Sequence, residues 1–352
     1  MSSTSRYLVT GGAGFIGSHL CQALLANNHH VSVIDDLSTG RLENIAALKS
    51  HPNFHFARAT VENQVVLDRL SSEADVVVHL AAAVGVKRIV ERPVQTIEAN
   101  VGGTECVLDA ALRYGCRVLI ASTSEVYGKG SKIPFSEDDD VVLGPTSRSR
   151  WAYATSKMID EFLGLAYGRE YGLPVVISRL FNTVGPRQRS RYGMVLPRFV
   201  KQALRGEAIT VYGDGSQQRC FCDVADVVRA IIGLAEHADA SGHVFNVGGT
   251  ESITIQGLAE RVRDLVGSTS DIIHIPYDEA YAPGFEDMKW REPDITRIRK
   301  MLAWEPSISL DETLQRTADY VRTVPLERRR DARRIADSAR TSATTSRRGQ
   351  SR

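Results

Sequence analysis

Residues Tyr7–Ser18 read Tyr-Leu-Val-Thr-Gly-Gly-Ala-Gly-Phe-Ile-Gly-Ser, and this stretch decides the fold. A short apolar run enters the glycine cluster and an amphipathic run leaves it, which predicts a strand, a tight turn and a helix. Gly11, Gly14 and Gly17 are spaced three apart, a variant of the dinucleotide-binding fingerprint. Such glycines permit a sharp turn, a close approach of backbone to a pyrophosphate, and tight helix–strand packing. The phosphates then lie at the helix N-terminus, where free N–H groups and the helix dipole favour an anion.

A carboxylate follows the next predicted strand. The strand His30–Ile34 ends at Asp35, which lies 18 residues beyond Gly17, near the usual spacing for a carboxylate that bonds the adenosine ribose 2′-OH. A carboxylate there would repel a 2′-phosphate, so the pattern favours NAD over NADP. The alternative is a glycine turn that binds nothing, and the strand, the spacing and Asp35 together argue against it.

Composition limits the classes of protein to which the chain can belong. Its 352 residues, 43% hydrophobic and 24% charged, suit one large α/β domain or two joined lobes. The net charge of +1 argues against nucleic acid as a partner, and no stretch approaches the roughly 18 apolar residues of a membrane span. The N-terminus has no apolar signal core. The five scattered cysteines lack metal-ligand spacing, so we expect reduced thiols, no metal site and a cytoplasmic location.

Predicted strands and helices alternate as far as about residue 177. After the second strand, the predicted strands are Phe54–Phe56, Val76–His79, Val118–Ala121 and Val175–Ser178. A helix is predicted from about Val94 to Tyr114, and another long helix over residues 153–171. This alternation predicts an α/β fold with a doubly wound parallel sheet of the Rossmann type.

The pattern changes beyond Leu180, which predicts three segments. Residues 1–180 form the nucleotide-binding domain, and residues 181–325 form a smaller C-terminal lobe for the substrate. Val244–Val247 reads as a buried strand that returns to the first domain. Residues 326–352 are basic and poor in apolar side chains, which predicts disorder. Such a tail can contact nucleic acid, but a solvated tail is favoured because no aromatic side chain is interleaved with the charges.

Tyr153 and Lys157 are the first catalytic candidates. They are four residues apart near the start of a predicted helix, so they share one helix face. A lysine ammonium near a phenol lowers the phenol's pKa toward neutrality. A phenolate can then remove a proton from a sugar hydroxyl while hydride leaves the carbon. Alone, this spacing is more often a surface pair; after a nucleotide fingerprint the catalytic interpretation is favoured.

Polar residues at the end of the Val118–Ala121 strand form the second candidate group. Ligands bind at the carboxyl ends of the strands in a doubly wound sheet, where the hydroxyls of Thr123 and Ser124 can bond a substrate oxygen. Glu125 is open to two interpretations: a general acid or base, or a group that orders a loop or a water.

The sequence resembles an extended short-chain dehydrogenase/reductase of the NAD-dependent epimerase/dehydratase family, which acts on nucleotide-diphosphate sugars. The resemblance covers Leu8 to about Val321, nearly all the chain that we expect to be ordered. Its matching stretches are Val-Thr-Gly-Gly-Ala-Gly-Phe-Ile-Gly, Asp35–Gly40, His79–Ala83, Asn100–Thr104, Ser122–Gly128, Tyr153–Lys157, Arg179–Arg187, Val211–Gly215, Arg219–Asp226 and Arg291–Asp294.

The resemblance implies NAD as cofactor and assigns its contacts. The implied cofactor-binding residues are Gly11, Gly14, Phe15, Ile16, Gly17, Asp35, Asp36, Leu37, Ser38, Thr39, Gly40, Val61, Leu80, Ala81, Ala82, Asn100, Tyr153 and Lys157. The family often has an aspartate near the adenine where this chain has Ala59-Thr60-Val61, so adenine contacts there would rest on the Val61 backbone.

The resemblance also implies roles in catalysis and assembly. Tyr153 is the base, Thr123 helps it to orient the reacting hydroxyl, and Lys157 bonds the nicotinamide ribose. The implied substrate-binding residues are Ser124, Asn182, Arg219 and Arg291. A homodimer built on the helices near 99–114 and 153–171 is implied as well. The apolar residues Ile159, Phe162 and Leu163 fit either that interface or an intramolecular core.

Several reactions remain open, because the related enzymes share the same first step, the removal of hydride from C4 of the sugar. A 4,6-dehydratase is disfavoured, because Ser124 stands where its acidic aspartate is expected. The stretches Thr-Ser-Glu, Arg150–Tyr153 and Arg219-Cys-Phe resemble UDP-glucuronate decarboxylases, whereas Arg191–Pro197 resembles the epimerases. We expect a C4 epimerase, with UDP-glucuronate decarboxylase as the alternative. A non-catalytic NAD-binding regulatory protein is the remote alternative, which the presence of Tyr153, Lys157 and Thr123 argues against.

Overall fold

The computed structural model describes residues 4–85, 92–190, 194–280 and 288–323. The predicted tail 326–352 and residues 191–193 of the epimerase-like stretch lie outside the described residues. The strands are β1 (Arg6–Thr10), β2 (His30–Ile34), β3 (Phe54–Ala57), β4 (Val76–His79), β5 (Arg117–Thr123), β6 (Val175–Leu180), β7 (Thr183–Val184), β8 (Ile209–Tyr212), β9 (Gln218–Cys220), β10 (Cys222–Asp223), β11 (Val244–Val247), β12 (Ser252–Thr254) and β13 (Ile272–Ile275). The α-helices are α1 (Phe15–Ala26), α2 (Leu42–Ile45), α3 (Gln64–Ser71), α4 (Pro93–Tyr114), α5 (Trp151–Tyr171), α6 (Val195–Leu204), α7 (Val224–Glu236), α8 (Ile255–Leu265), α9 (Tyr277–Ala280), α10 (Thr296–Leu302) and α11 (Leu310–Thr323).

Seven parallel strands form the central sheet, in the order β11-β6-β5-β4-β1-β2-β3. The chain runs outward from β1 through β2 to β3, and then returns to the other side of β1 with β4. The strand order therefore reverses between β1 and β4, and a crevice opens there at the carboxyl ends of the strands. This topology confirms the predicted doubly wound α/β fold.

Helices cover both faces of the sheet because its strands are apolar on both sides. On one face, Leu20 and Leu24 of α1 pack in a cluster with Ile231 of α7. On the other, Leu108 of α4 packs in a cluster with Ile120 of β5. Both helix-covered faces hold the sheet rigid, so the side chains at its carboxyl edge have fixed positions.

A second, smaller core lies in the C-terminal half of the chain. Its members come from α6, β8, α8 and α11, and include Phe199, Val211, Leu258 and Leu314, all fully buried. Strand β13 pairs in parallel with β8, and β12 pairs antiparallel with β9. Among the residues described, no helix combines the length and the apolar character that crossing a membrane requires.

Candidate active site

A cavity of about 610 Å³ opens where the crevice of the sheet meets the smaller core. Its walls include the glycine turn after β1, the residues after β4 and β5, the segment Met194–Arg198, and the side chains of Gln217 and Arg219. The volume falls within the usual range for ligand pockets. Within the described ranges, no group of three or more His, Cys, Asp or Glu side chains is arranged to hold a metal ion.

The glycine turn brings backbone close to this cavity. Gly11 has φ +70°, and a Cβ there would lie 2.9 Å from the Ala81 backbone nitrogen. A Cβ on Gly17 would lie 2.4 Å from the Gly11 carbonyl oxygen, so only glycine lets α1 pack this near the turn. No side chain caps the start of α1, where Gly14 is the N-cap residue. The turn and the uncapped N–H groups fit a dinucleotide pyrophosphate.

Asp35 organises the loop around this turn. One carboxylate oxygen accepts a hydrogen bond from the Ala13 N–H at 2.9 Å and the other from the Leu37 N–H at 2.8 Å. Burial raises the pKa of Asp35, and these two hydrogen bonds oppose the rise. A Cβ on Gly40 would lie 2.8 Å from the same carboxylate. Asp35 lines the cavity, so its contact with a ribose hydroxyl stays a prediction.

Most of the predicted cofactor-binding residues lie on the cavity wall. They are Gly11, Gly14, Phe15, Ile16, Gly17, Asp35, Asp36, Ser38, Thr39, Val61, Leu80, Ala81, Ala82 and Tyr153. Leu37, Gly40, Asn100 and Lys157 lie behind the wall instead. Asn100 accepts a hydrogen bond from the Ala83 N–H at 2.7 Å and donates one to the Ser156 hydroxyl at 3.0 Å. Asn100 therefore supports the wall rather than forming it.

Tyr153 and Thr123 meet at the cavity because the first turn of α5 packs beside the end of β5. The Thr123 hydroxyl hydrogen-bonds to the phenol. Burial raises the pKa of Tyr153, and the charges of Glu125 and Asp160 raise it further, while Thr123 and Arg150 oppose the rise. The sequence predicts that Lys157 lowers this pKa, but the pKa is raised, because burial is the largest influence on the phenol. The Lys157 ammonium lies 2.8 Å from Asp160.

Glu125 lies between two arginines at the same wall. It accepts a short hydrogen bond from Arg150, and Arg291 Nη1 lies 3.3 Å from its other oxygen. Burial alone would raise the pKa of Glu125, but the two guanidinium groups lower it to about 2. The side chain is therefore an ionised partner of both arginines, and it holds no proton to donate at neutral pH.

The predicted substrate-binding residues converge on the cavity. Ser124, Asn182, Arg219 and Arg291 all line it. The Asn182 side chain donates to the Cys220 carbonyl at 3.0 Å, and its backbone has φ +28°, a strained value for asparagine. Arg219 is 6% exposed and donates to the Gln218 carbonyl at 2.8 Å. These contacts hold the two side chains at the cavity wall.

The sequence interpretation missed Arg150 as a site residue and also missed much of the smaller-lobe wall. Arg150 stands three residues before Tyr153, so helical spacing was a signal for it. Tyr212, Gln217 and Tyr277 line the cavity too. The Gln217 amide donates to the Tyr212 carbonyl at 3.0 Å. No local pattern links these three residues to the glycine turn, so only the folded chain identifies them.

Known proteins similar to this chain fall in one family. The model of the NAD dependent epimerase/dehydratase family matches residues 7–248. A UDP-N-acetyl-alpha-D-glucosaminuronate decarboxylase of Bacillus cytotoxicus is 41% identical over 91% of this chain and 98% of its own length. A UDP-glucuronic acid decarboxylase 1 of Danio rerio is 38% identical over 90% of this chain and 72% of its own.

A solved structure extends this similarity to the fold and the cofactor. It is the UDP-glucuronic acid 4-epimerase of Bacillus cereus in complex with UDP-glucuronic acid and NAD. It is 32% identical, covers 90% of this chain and 99% of its own, and has a TM-score of 0.81. The cradle at the glycine turn fits the same cofactor. The chain is therefore an NAD-using enzyme that belongs to the NAD dependent epimerase/dehydratase family.

Proposed function

We propose that the enzyme removes CO2 from a UDP-linked hexuronic acid through a transient 4-keto sugar. Decarboxylation is the alternative outcome of the sequence interpretation, which favoured a C4 epimerase. The decarboxylase relatives are more similar in sequence to this chain than the 4-epimerase of known structure is. The comparisons therefore favour decarboxylation over epimerisation.

The arginines around Glu125 carry the proposal. Three guanidinium groups, from Arg150, Arg219 and Arg291, lower the pKa of this one carboxyl group, so all three lie close together at the wall. A UDP-linked uronic acid brings both a diphosphate and a sugar carboxylate, and guanidinium groups bind both through paired N–H donors. The arginines therefore support a uronic acid sugar nucleotide as the substrate, and the decarboxylase relatives favour loss of CO2 from it over epimerisation.

The residues at the wall suit each part of this chemistry. NAD, when bound, supplies the acceptor for the C4 hydride and returns the hydride after CO2 has left. Tyr153 and Thr123 take the C4 hydroxyl and its proton. In the resulting ketone, the carboxylate is β to the C4 carbonyl, so the C5–carboxylate bond breaks and its electron pair moves onto the carbonyl oxygen. The two hydroxyl donors stabilise the charge that develops there. A proton from solvent then adds to C5, and Tyr153 would return its proton to the C4 oxygen when hydride returns to C4.

C4 epimerisation is the second candidate, because the similar solved structure is a 4-epimerase bound to a uronic acid sugar nucleotide. The deciding experiment incubates the enzyme with UDP-glucuronic acid, UDP-N-acetylglucosaminuronic acid, UDP-glucose and matched GDP- and dTDP-sugars, with products read by mass spectrometry and NMR. Loss of CO2 from a UDP-uronic acid is the expected result. Unchanged mass with new sugar signals would establish epimerisation instead. No turnover of any sugar would overturn both in favour of a regulatory NAD-binding protein.

A further inference from the structure

Lys157 lies against a carboxylate that is fully buried. Its Nζ atom is 2.8 Å from Asp160 Oδ2, three residues further along α5, and the two side chains are 3% and 0% exposed. Removing both charges from water is costly, so such a pair persists only where other donors complete the carboxylate's surroundings. Burial raises the pKa of Asp160, and its neighbours Lys157 and Thr104 of α4 oppose the rise.

A chain of hydrogen bonds runs from Thr104 to the wall of the cofactor groove. The Thr104 hydroxyl lies 3.2 Å from His79 Nε2, and the Thr10 hydroxyl lies 2.8 Å from His79 Nδ1. Thr10 Oγ1 also accepts hydrogen bonds from the Leu80 N–H at 3.1 Å and the Ala81 N–H at 3.0 Å. Thr10, His79 and Thr104 are each at most 2% exposed.

The position of every proton in this chain follows from counting donors. A hydroxyl has two lone pairs and one proton, and the two backbone N–H groups occupy both lone pairs of Thr10. Thr10 must therefore donate to His79 Nδ1, and His79 must carry its proton on Nε2 and donate to Thr104. Thr104 then has its own proton left for Asp160. Burial and the Lys157 charge lower the pKa of His79 to about 3, so the imidazole is neutral, as this arrangement requires.

The direction of the chain indicates what it does. It begins at two backbone N–H groups, which do not release protons, so it is no proton path to solvent. Every group instead donates its proton in the direction of Asp160. The Lys157 ammonium contacts the same carboxylate. The chain thus connects the wall at Leu80 and Ala81 to the Lys157 ammonium through buried groups of β1, β4, α4 and α5.

We propose that Asp160 is a positioning residue, which the Thr10–His79–Thr104 chain holds in place and which fixes the Lys157 ammonium relative to the cofactor groove. The inference rests on the proposed function only in that Lys157 serves the hydride-transfer step. No step in it requires loss of CO2.

The matched variants are Thr104→Val, which removes the hydroxyl at constant shape, and Thr104→Ser, which keeps the hydroxyl. Asp160→Asn removes the charge at constant shape. NAD affinity is measured by calorimetry without sugar, and formation of bound reduced nicotinamide is measured in a single turnover with UDP-glucuronic acid. Melting temperature reports folding.

We expect Thr104→Val and Asp160→Asn to weaken NAD binding about tenfold and to slow hydride transfer about a hundredfold, as a misplaced group does. Thr104→Ser should stay within about twofold of the parent in both.

Two results would overturn the positioning role. One is NAD affinity and hydride transfer within about twofold of the parent in both Thr104→Val and Asp160→Asn, even if their melting temperatures fall. The other is equal losses in Thr104→Val and Thr104→Ser, which would make packing responsible instead of the hydroxyl. If the parent forms no pentose product from UDP-uronic acids, the proposed function fails, and the NAD affinities still decide the role of Asp160.

Discussion

At the scale of single residues, the partners of a side chain in this cavity set its chemistry. Glu125 is almost completely buried, yet its pKa is about 2 because two arginines face it. The pKa of Tyr153 moves the opposite way, because burial and nearby carboxylates oppose its ionisation. From residue type alone, Glu125 would have been interpreted as an acid that titrates in catalysis, and Tyr153 as a phenol with a lowered pKa.

Replacement of Glu125 by glutamine separates the candidate reactions. The change keeps the shape and removes the charge that holds Arg150 and Arg291. We expect CO2 release to fall by more than about a hundredfold, because the two arginines lose the charge that positions them, while bound reduced nicotinamide still forms. Tyr153→Phe is the control and should abolish hydride transfer. Retention of most activity in Glu125→Gln would favour C4 epimerisation.

The same carboxylate makes stability depend on pH. Its pKa of about 2 in the folded chain lies below the ordinary glutamate value of 4.5. A depressed pKa stabilises the folded state above pH 4.5, and that stability is lost as the pH falls toward 2. The contribution at pH 7 is about 3 kcal/mol. In urea unfolding, the difference between the parent and Glu125→Gln should therefore shrink by roughly half between pH 7 and pH 3. A constant difference would contradict the ionised pair.

Asp35 should determine the choice between NAD and NADP. Its carboxylate lines the cavity and accepts two backbone N–H groups, so it presents negative charge to the place where the sequence predicts the adenosine ribose. We expect Asp35→Ala to weaken NAD binding and to raise the affinity for NADP relative to NAD, measured by calorimetry. Glu43→Ala is the control, because Glu43 is an exposed carboxylate on α2 that does not line the cavity. An unchanged ratio of affinities in Asp35→Ala would mean that Asp35 serves only the loop.

At the scale of elements, the short distances within the strand–turn–helix unit of β1 and α1 limit which residues can stand at the turn. A methyl group on Gly17 would meet the Gly11 carbonyl oxygen at 2.4 Å and the Gly12 Cα at 2.7 Å. Backbone atoms cannot rotate away as a flexible side chain can. The helix must therefore move off the turn, and the N–H groups that form the phosphate cradle move with it.

Gly17→Ala should thus abolish NAD binding and destabilise the fold by about 1–3 kcal/mol, the usual cost of overpacking. Gly102→Ala is the matched control, because a methyl group in the middle of α4 would meet nothing within 4 Å. That change should stabilise the chain by about 0.5–1 kcal/mol through helix propensity. Calorimetric NAD titration and urea unfolding measure both effects. NAD binding by Gly17→Ala at the parent's affinity would argue against this cradle.

At the scale of the whole molecule, α4 and α5 leave apolar side chains in solvent. Phe162 and Val94 are each 64% exposed and Ile97 is 41% exposed, so Phe162 is not an intramolecular core residue. Large apolar side chains clustered on neighbouring helices are typical of protein–protein interfaces. They agree with the homodimer that the family resemblance implies, whose assembly stays a prediction.

We predict that light scattering at micromolar concentration shows a dimer, and that Phe162→Glu yields a monomer with an unchanged fold by circular dichroism. A charge placed in an apolar interface is left unpaired and desolvated, which favours dissociation. Ile273→Glu is the control, because Ile273 is 42% exposed on β13, which pairs with β8 beside the smaller core. A monomeric parent, or a dimeric Phe162→Glu, would contradict this interface.

The sequence by itself determined the features that neighbouring residues produce. The glycine turn, the alternation of strands and helices, and the Tyr153–Lys157 spacing are each contained in one short segment, so local geometry specifies them. Strand β11 was recognisable from its apolar run, but its place beside β6 depends on the sheet. Only the tertiary structure brought Arg291 to Glu125 across 166 positions of the chain, and placed Thr104 beside both His79 and Asp160. Ionisation depends on burial and on charges distant in sequence, and those exist only once the chain has folded.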